Sequence, residues 1–250
     1  MSRKSYPSKA AARQAVWDAL QHERVARFPF PPHGRIPNFA GADAAAERLL
    51  ALPLFEGARA IKVSPDAPQH PVRERALARG ITVYVPAPRL RGGFYRLDPR
   101  RIPAEARRTA AGLARGRRWA EATPLDALPV MDVVVTGSVA VTSDGRRCGK
   151  GHGYGDIEYA ILRELGHPPV PVATTVHRLQ RVTGFPADPH DLPVAWIVTP
   201  EEVTEVADPP APPDGIDWAA LPAGAFQAMP VLGELHRKPP PDGSSKRFQS

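Results

Sequence analysis

The sequence predicts an α/β fold of three layers, a mostly parallel sheet sandwiched between helices, and three observations carry that prediction. Short apolar or β-branched runs alternate with helical ones along the chain, the pattern of parallel strands joined by helical crossovers. The run "VMDVVVTGSVAVT" is too apolar to have an exposed face, as expected of a strand covered on both sides. The 250 residues, with 42% hydrophobic content, suffice for one substantial core.

The elements follow in order. "SKAAARQAVWDALQHERVARF" is rich in helix formers, with Val16, Leu20 and Val25 near one face and Ser8 placed to cap it. A loop, "PFPPHGRIPNFAGADA", precedes a second helix, "AAAERLLALPLF", expected to end near Pro53. "ARAIKVS" reads as a short, nearly continuous apolar strand. "PVRERALARG" is helical, with Gly80 at its carboxyl end, and "ITVYVPAP" is a β-branched strand closed by prolines. The arginine-rich stretch over 90–128 has weak periodicity and no assigned structure. "VMDVVVTGSVAVT" reads as one long buried strand. "DIEYAILRELG" is an amphipathic helix with Ile157, Ala160, Ile161 and Leu165 inward and Gly166 ending it. "PVATTVH" and "AWIVTP" complete the strands. These spans place an α/β domain over 1–204, followed by a proline-rich tail over 205–250. Its apolar residues within 214–237, among them Ile216, Trp218, Met229 and Leu235, suit docking on this domain or on another chain. The final "PPPDGSSKRFQS" is expected to be disordered.

Composition narrows the function classes. No apolar run is long enough to span a membrane, and no apolar region follows the basic start "MSRKSYPSKAAARQ", so a cytoplasmic location is expected, with no membrane partner. The single cysteine, Cys148, excludes an internal disulfide, and the eight histidines have no zinc-like spacing. The formal charge of +7, from 33 basic against 26 acidic residues, favours anionic partners. Nucleotide phosphates, polyglutamate tails and nucleic acid all satisfy it; nucleic acid is not the favoured reading. Oligomeric state is not legible.

The stretch "RRCGKGHGYGDIEYA" packs four glycines with a lysine and an acidic residue between a buried strand and a helix. Such a loop exposes backbone N–H groups, and the helix start adds partial positive charge at the same point, which suits a phosphate. It matches neither the G-x-x-x-x-G-K-[ST] loop nor a dinucleotide fingerprint, and an awkward strand-to-helix turn would look the same. Arg146, Arg147 and Lys150 are placed to bond phosphate oxygens, and Asp156 either to hold a hydrated magnesium ion or to serve as a helix-start carboxylate. Arg89 and Arg91, His152 and His177 are further anion-ligand candidates, each equally readable as an ordinary loop or strand-end residue.

"RRCGKGHGYGD" resembles the signature Arg-Leu-Gly-x-Gly-x-Gly-Tyr-Tyr-Asp of the 5-formyltetrahydrofolate cyclo-ligase (methenyltetrahydrofolate synthetase) family, with Arg147, Gly149, Gly151, Gly153, Tyr154 and Asp156 on its main positions. The resemblance covers roughly residues 8–202. "RIPNF", "KVSPDAPQ", "PAPRLRGG", "GSVAV" and "TTVH" resemble the methenyltetrahydrofolate synthetase domain-containing branch. It implies a NagB/RpiA/CoA-transferase-like fold. It also implies an ATP- and Mg²⁺-dependent ligase that converts 5-formyltetrahydrofolate to 5,10-methenyltetrahydrofolate through a phosphorylated formyl group.

By the same resemblance, Lys9 and Arg13, spaced to share a helix face, join Arg147, Gly149, Lys150, Gly151, His152 and Gly153 in binding ATP. Lys150 and Arg147 are then catalytic, Asp66 and Tyr154 meet the reduced folate, and Asp156 and Asp191 hold the metal. Two positions depart from the pattern: Asp66 stands where the family has glutamate, and Gly155 where it has a second tyrosine. Two other functions stay open, a ligase for a different small substrate and a non-catalytic relative binding nucleotide or RNA through its arginines.

Overall fold

The computed structural model describes residues 5–221 and 223–237; the expected disorder of the last residues lies outside them. Helix α1 (Lys9–His22) begins at Ser8, whose extended backbone lets its hydroxyl accept the Ala11 N–H at 3.1 Å. Ser8→Ala is expected to lower unfolding stability by about 1 kcal/mol, read as a reduced urea midpoint at unchanged slope. Two-residue strands β1 (Ala26–Arg27) and β2 (Asn38–Phe39) pair antiparallel before α2 (Ala42–Leu50).

The main framework follows: β3 (Ala60–Val63), α3 (His70–Ala78), β4 (Thr82–Pro86), β5 (Phe94–Leu97), α4 (Arg107–Ala111), β6 (Ala120–Thr123) and β7 (Val133–Val135). The hairpin β8 (Ala140–Val141) and β9 (Arg147–Cys148) leads into α5 (Tyr154–Glu164), then β10 (Val172–Thr175), β11 (Trp196–Val198) and β12 (Val203–Glu205). Helices α6 (Ala225–Ala228) and α7 (Pro230–Arg237) end the described chain.

Eight strands form one sheet in the order β12-β11-β10-β7-β3-β4-β5-β6, parallel from β11 to β4 and antiparallel at both edges. The arginine-rich stretch therefore contains two strands, β5 and β6, which weak periodicity hid because their middle residues face partly outward. The run expected to be one strand over 130–142 is two. β7 stays in the sheet, while the chain leaves it at Gly137 so that β8 can pair with β9. A β-carbon on Gly137 would lie 3.0 Å from Ile36 and 3.2 Å from Asp66 Oδ2, so glycine lets these side chains close in on the strand end without being pushed back.

Side-chain alternation divides the sheet into two packed faces. Ile61 and Val63 of β3 point to the layer containing α2, α3 and α4, with Leu49, Leu77 and Ala110. Ala60 points to the opposite layer, where α5 and the C-terminal helices supply Tyr159, Ile161, Met229, Val231, Leu232 and Leu235. The apolar residues of 214–237 thus pack on this same domain: Arg163 bonds Asp214 at 2.6 Å, and the Ile216 N–H donates to Glu164 at 3.2 Å. No described helix is long and apolar enough to cross a membrane.

Candidate functional site

From β3 the chain moves through α3 to β4 on one side, and from β7 through α5 to β10 on the other, so strand order reverses between β3 and β7. In open α/β sheets such a reversal leaves a crevice at the carboxyl ends of the strands. Ser64, Pro65 and Asp66 after β3, and Thr136 and Gly137 after β7, form one wall of a cavity of about 1150 Å³ there.

The cavity gathers residues from distant parts of the chain. Lys9, Arg13, Asp66, Arg147, Gly149, Lys150, Gly151, His152, Gly153, Tyr154, Asp156 and Asp191 all line it. Lys9 and Arg13 reach it from one face of α1. Lys9 Nζ lies 2.6 Å from Asp188 and 2.5 Å from Asp191. Burial works to lower the Lys9 pKa, but these hydrogen bonds outweigh it and hold it above the usual lysine value. Arg13 lies behind the glycine loop, its guanidinium 3.5 Å from the Gly149 carbonyl.

The loop turns through left-handed backbone at Gly151 (φ +104) and Gly153 (φ +68), where glycine alone is unstrained, and Gly153 opens α5 directly into the cavity. Arg147, almost wholly buried, pairs with Asp156 in the first turn of α5, and the same carboxylate accepts the Leu192 N–H at 2.9 Å. Asp156 therefore sits beside the segment that carries Asp191. Lys150 reaches across the cavity to Asp66 at 3.0 Å, joining the glycine loop to the end of β3. His152 is exposed and sets its ring edge against Tyr154, centroids 6.0 Å apart.

A magnesium ion needs oxygen ligands, and it usually keeps waters and phosphate oxygens beside one or two carboxylates. Asp156 and Asp191 already face Arg147 and Lys9, and no group of three or more acidic, histidine or cysteine side chains among the described residues could hold a metal. The residues present fit magnesium only as an ion that arrives on phosphate oxygens.

Other candidates lie elsewhere. His177 is buried and caps a short turn, its Nδ1 accepting the Leu179 N–H at 3.3 Å; burial lowers its pKa and it does not line the cavity. Arg91 is exposed away from the cavity, and the Arg89 side chain lies outside the described residues. Cys148 lines the cavity, but burial pushes its thiol up and keeps it protonated.

Several residues that line the cavity or lie beneath it carry no local signal of their place. "ARAIKVS" concealed Lys62, fully buried on the Ala60 face of β3, and "DIEYAILRELG" concealed Glu158, 5% exposed, which pairs with it under α5. Of the residues expected inward on α5, Ala160 and Ile161 are buried and Ile157 and Leu165 are partly covered against the same core, while Glu158, Tyr159 and Leu162 are buried as well. Ile216, Leu221 and Met229 add an apolar wall from beyond residue 204. The signals available were a lysine inside an apolar strand and a glutamate within an amphipathic helix.

Comparison with known proteins agrees with this architecture. The Mus musculus methenyltetrahydrofolate synthase domain-containing protein is 39% identical over 238 residues, which cover 92% of this chain and 64% of that protein. The Homo sapiens protein of the same description is 34% identical over 249 residues, covering 97% and 65%. The chain thus spans less than two thirds of the length of these relatives. The NMR structure of Aquifex aeolicus 5,10-methenyltetrahydrofolate synthetase superposes with a TM-score of 0.50 at 16% identity, over 80% of this chain and 95% of that one, a likeness of fold. The sequence profile of the 5-formyltetrahydrofolate cyclo-ligase family matches residues 7–200, well over half of the chain, and the chain belongs to that family.

Proposed function

We propose that this protein is an ATP- and magnesium-dependent cyclo-ligase that converts 5-formyltetrahydrofolate to 5,10-methenyltetrahydrofolate. The observation that carries the reading is the cavity at the strand-order reversal. There a glycine loop and helix start, flanked by Lys9, Arg13, Arg147 and Lys150, face Asp66 and Tyr154. Family membership and the relatives' names support it.

In this reading the loop amides at 149–153 and the nearby cations hold the nucleotide phosphates, while Asp66 and Tyr154 orient the folate. The formyl oxygen attacks the γ-phosphorus and ADP leaves; N10 of the folate then attacks the activated carbon. Loss of the N10 proton and departure of phosphate with the C–O electron pair close the ring. The protein contributes positioning and charge neutralisation, and no protein nucleophile is required. Asp156 and Asp191 would hold magnesium together with phosphate oxygens, and the ion would neutralise charge on them. Arg147, oriented by Asp156, and Lys150 stabilise the transferring phosphoryl group.

The test is to incubate the protein with 5-formyltetrahydrofolate, ATP and magnesium and follow near-ultraviolet absorbance of the methenyl product. ATP-dependent product formation is expected. Tight nucleotide binding with no product would overturn the cyclo-ligase reading, and absence of nucleotide binding would overturn the assignment of the glycine loop as well.

A further inference from the structure

We propose that Glu158, held in place by Lys62, is a substrate-reading carboxylate at the base of the cavity that accepts hydrogen bonds from the 2-amino-lactam edge of the bound pteridine. This deepens the cyclo-ligase reading and rests on it.

Both charges are costly where they stand. Lys62 is fully buried in the sheet face beneath α5, and Glu158 is 5% exposed. Taking two ions out of water is offset only when their remaining hydrogen-bonding capacity is also used. Apart from their mutual contact, neither Lys62 Nζ nor Glu158 Oε2 has a hydrogen-bond partner in the protein. A buried polar pair left in that condition calls for an explanation, and here one member faces a ligand-sized space: Glu158 lines the cavity. Burial raises its pKa, and the Lys62 charge opposes that rise.

The surroundings select the kind of ligand. One helical turn before Glu158, on the same face, Gly155 has no side chain, and a β-carbon there would lie 3.2 Å from Arg147 Nη2 and 3.3 Å from Thr136 Oγ1. The space beside Gly155 is taken by the Arg147 guanidinium and the Thr136 hydroxyl, which line the same cavity as Glu158. The apolar lining includes Leu90 from the sheet side and Ile216, Leu221 and Met229 from the C-terminal segment, surfaces that suit a flat ring. A carboxylate keeps acceptor sites on its second oxygen after one oxygen meets an ammonium. Adjacent ring N–H and exocyclic amino donors match such an acceptor. Asp66, to which the family resemblance gives a substrate contact, is meanwhile bonded to Lys150. Glu158 supplies a carboxylate that pairs with Lys62 and lines the cavity.

The experiment compares binding of 5-formyltetrahydrofolate with its 2-oxo counterpart lacking the exocyclic amino group, by calorimetry, on wild type, Glu158→Gln and the double variant Lys62→Met/Glu158→Leu. Thermal melting checks folding, and ATP binding serves as the control. Wild type is expected to prefer the amino form by about 10- to 100-fold, the effect of one lost paired edge. Glu158→Gln should lose most of that preference while retaining ATP binding, and the double variant, with its charges replaced by apolar groups, should fold and show no preference. The inference is overturned if wild type binds both forms equally, or if either folded variant keeps the wild-type preference. A wild type that binds neither form would instead bring down the cyclo-ligase reading on which the inference stands.

Discussion

Lys150→Ala is expected to lower the rate of methenyl product formation by a factor on the order of 10²–10³, the usual cost of removing one preorganised partner for charge that develops in a transition state. Lys150 carries the glycine loop's ammonium into the cavity and is about one-third exposed, so its loss leaves no cavity in the core. Its pair with Asp66 is partly exposed, and pairs of that kind contribute about 1 kcal/mol or less to folding. Activity and stability should therefore separate: the variant melts close to wild type while turnover collapses. Lys150→Arg should recover part of the rate, because it restores the charge but not the compact ammonium. Steady-state kinetics at saturating ATP checks this; an alanine variant within threefold of wild type would remove Lys150 from the proposed mechanism.

The largest stability effect expected is at Arg73. Its side chain lies on α3 and is almost fully buried, and its guanidinium bonds three backbone carbonyls: Ala111 at 2.9 Å, Ser64 at 2.5 Å and Asp66 at 3.2 Å. Burial lowers its pKa to about 10, with the Asp66 charge working against that, and it stays charged at neutral pH. Arg73→Met keeps most of the volume but orphans these carbonyls, and a loss of about 2–4 kcal/mol is expected. Urea unfolding followed by tryptophan fluorescence measures it. Because the Ser64 and Asp66 carbonyls sit at the carboxyl end of β3, the same change should raise KM for the folate more than it lowers kcat. Arg73 is thus a positioning residue: it ties the cavity wall to α4, and this arginine of "PVRERALARG" is internal.

Much of the site was legible because its signals are local. Glycines at 149, 151 and 153 between an apolar run and a helical one imply a backbone turning at a helix start, and left-handed φ at Gly151 and Gly153 is what that spacing requires. Lys9 and Arg13, four apart, share a helix face whatever that helix packs against. Their grouping with Asp66 and Asp191 was implied by the family resemblance, and all four line one cavity.

What sequence alone determined was the alternation of most strands and helices and the glycine turn at the start of α5, since periodicity and turn residues act over a few positions. Tertiary structure alone decided which charges are internal. Lys62 and Glu158 are 96 positions apart, and whether a lysine in a strand faces water or a glutamate depends on which helix covers that face. It also decided that β5 and β6 extend the sheet antiparallel and that the C-terminal segment completes the cavity wall. Those outcomes follow from burial shared between distant surfaces, and an amphipathic pattern records that a face will be covered without recording by what.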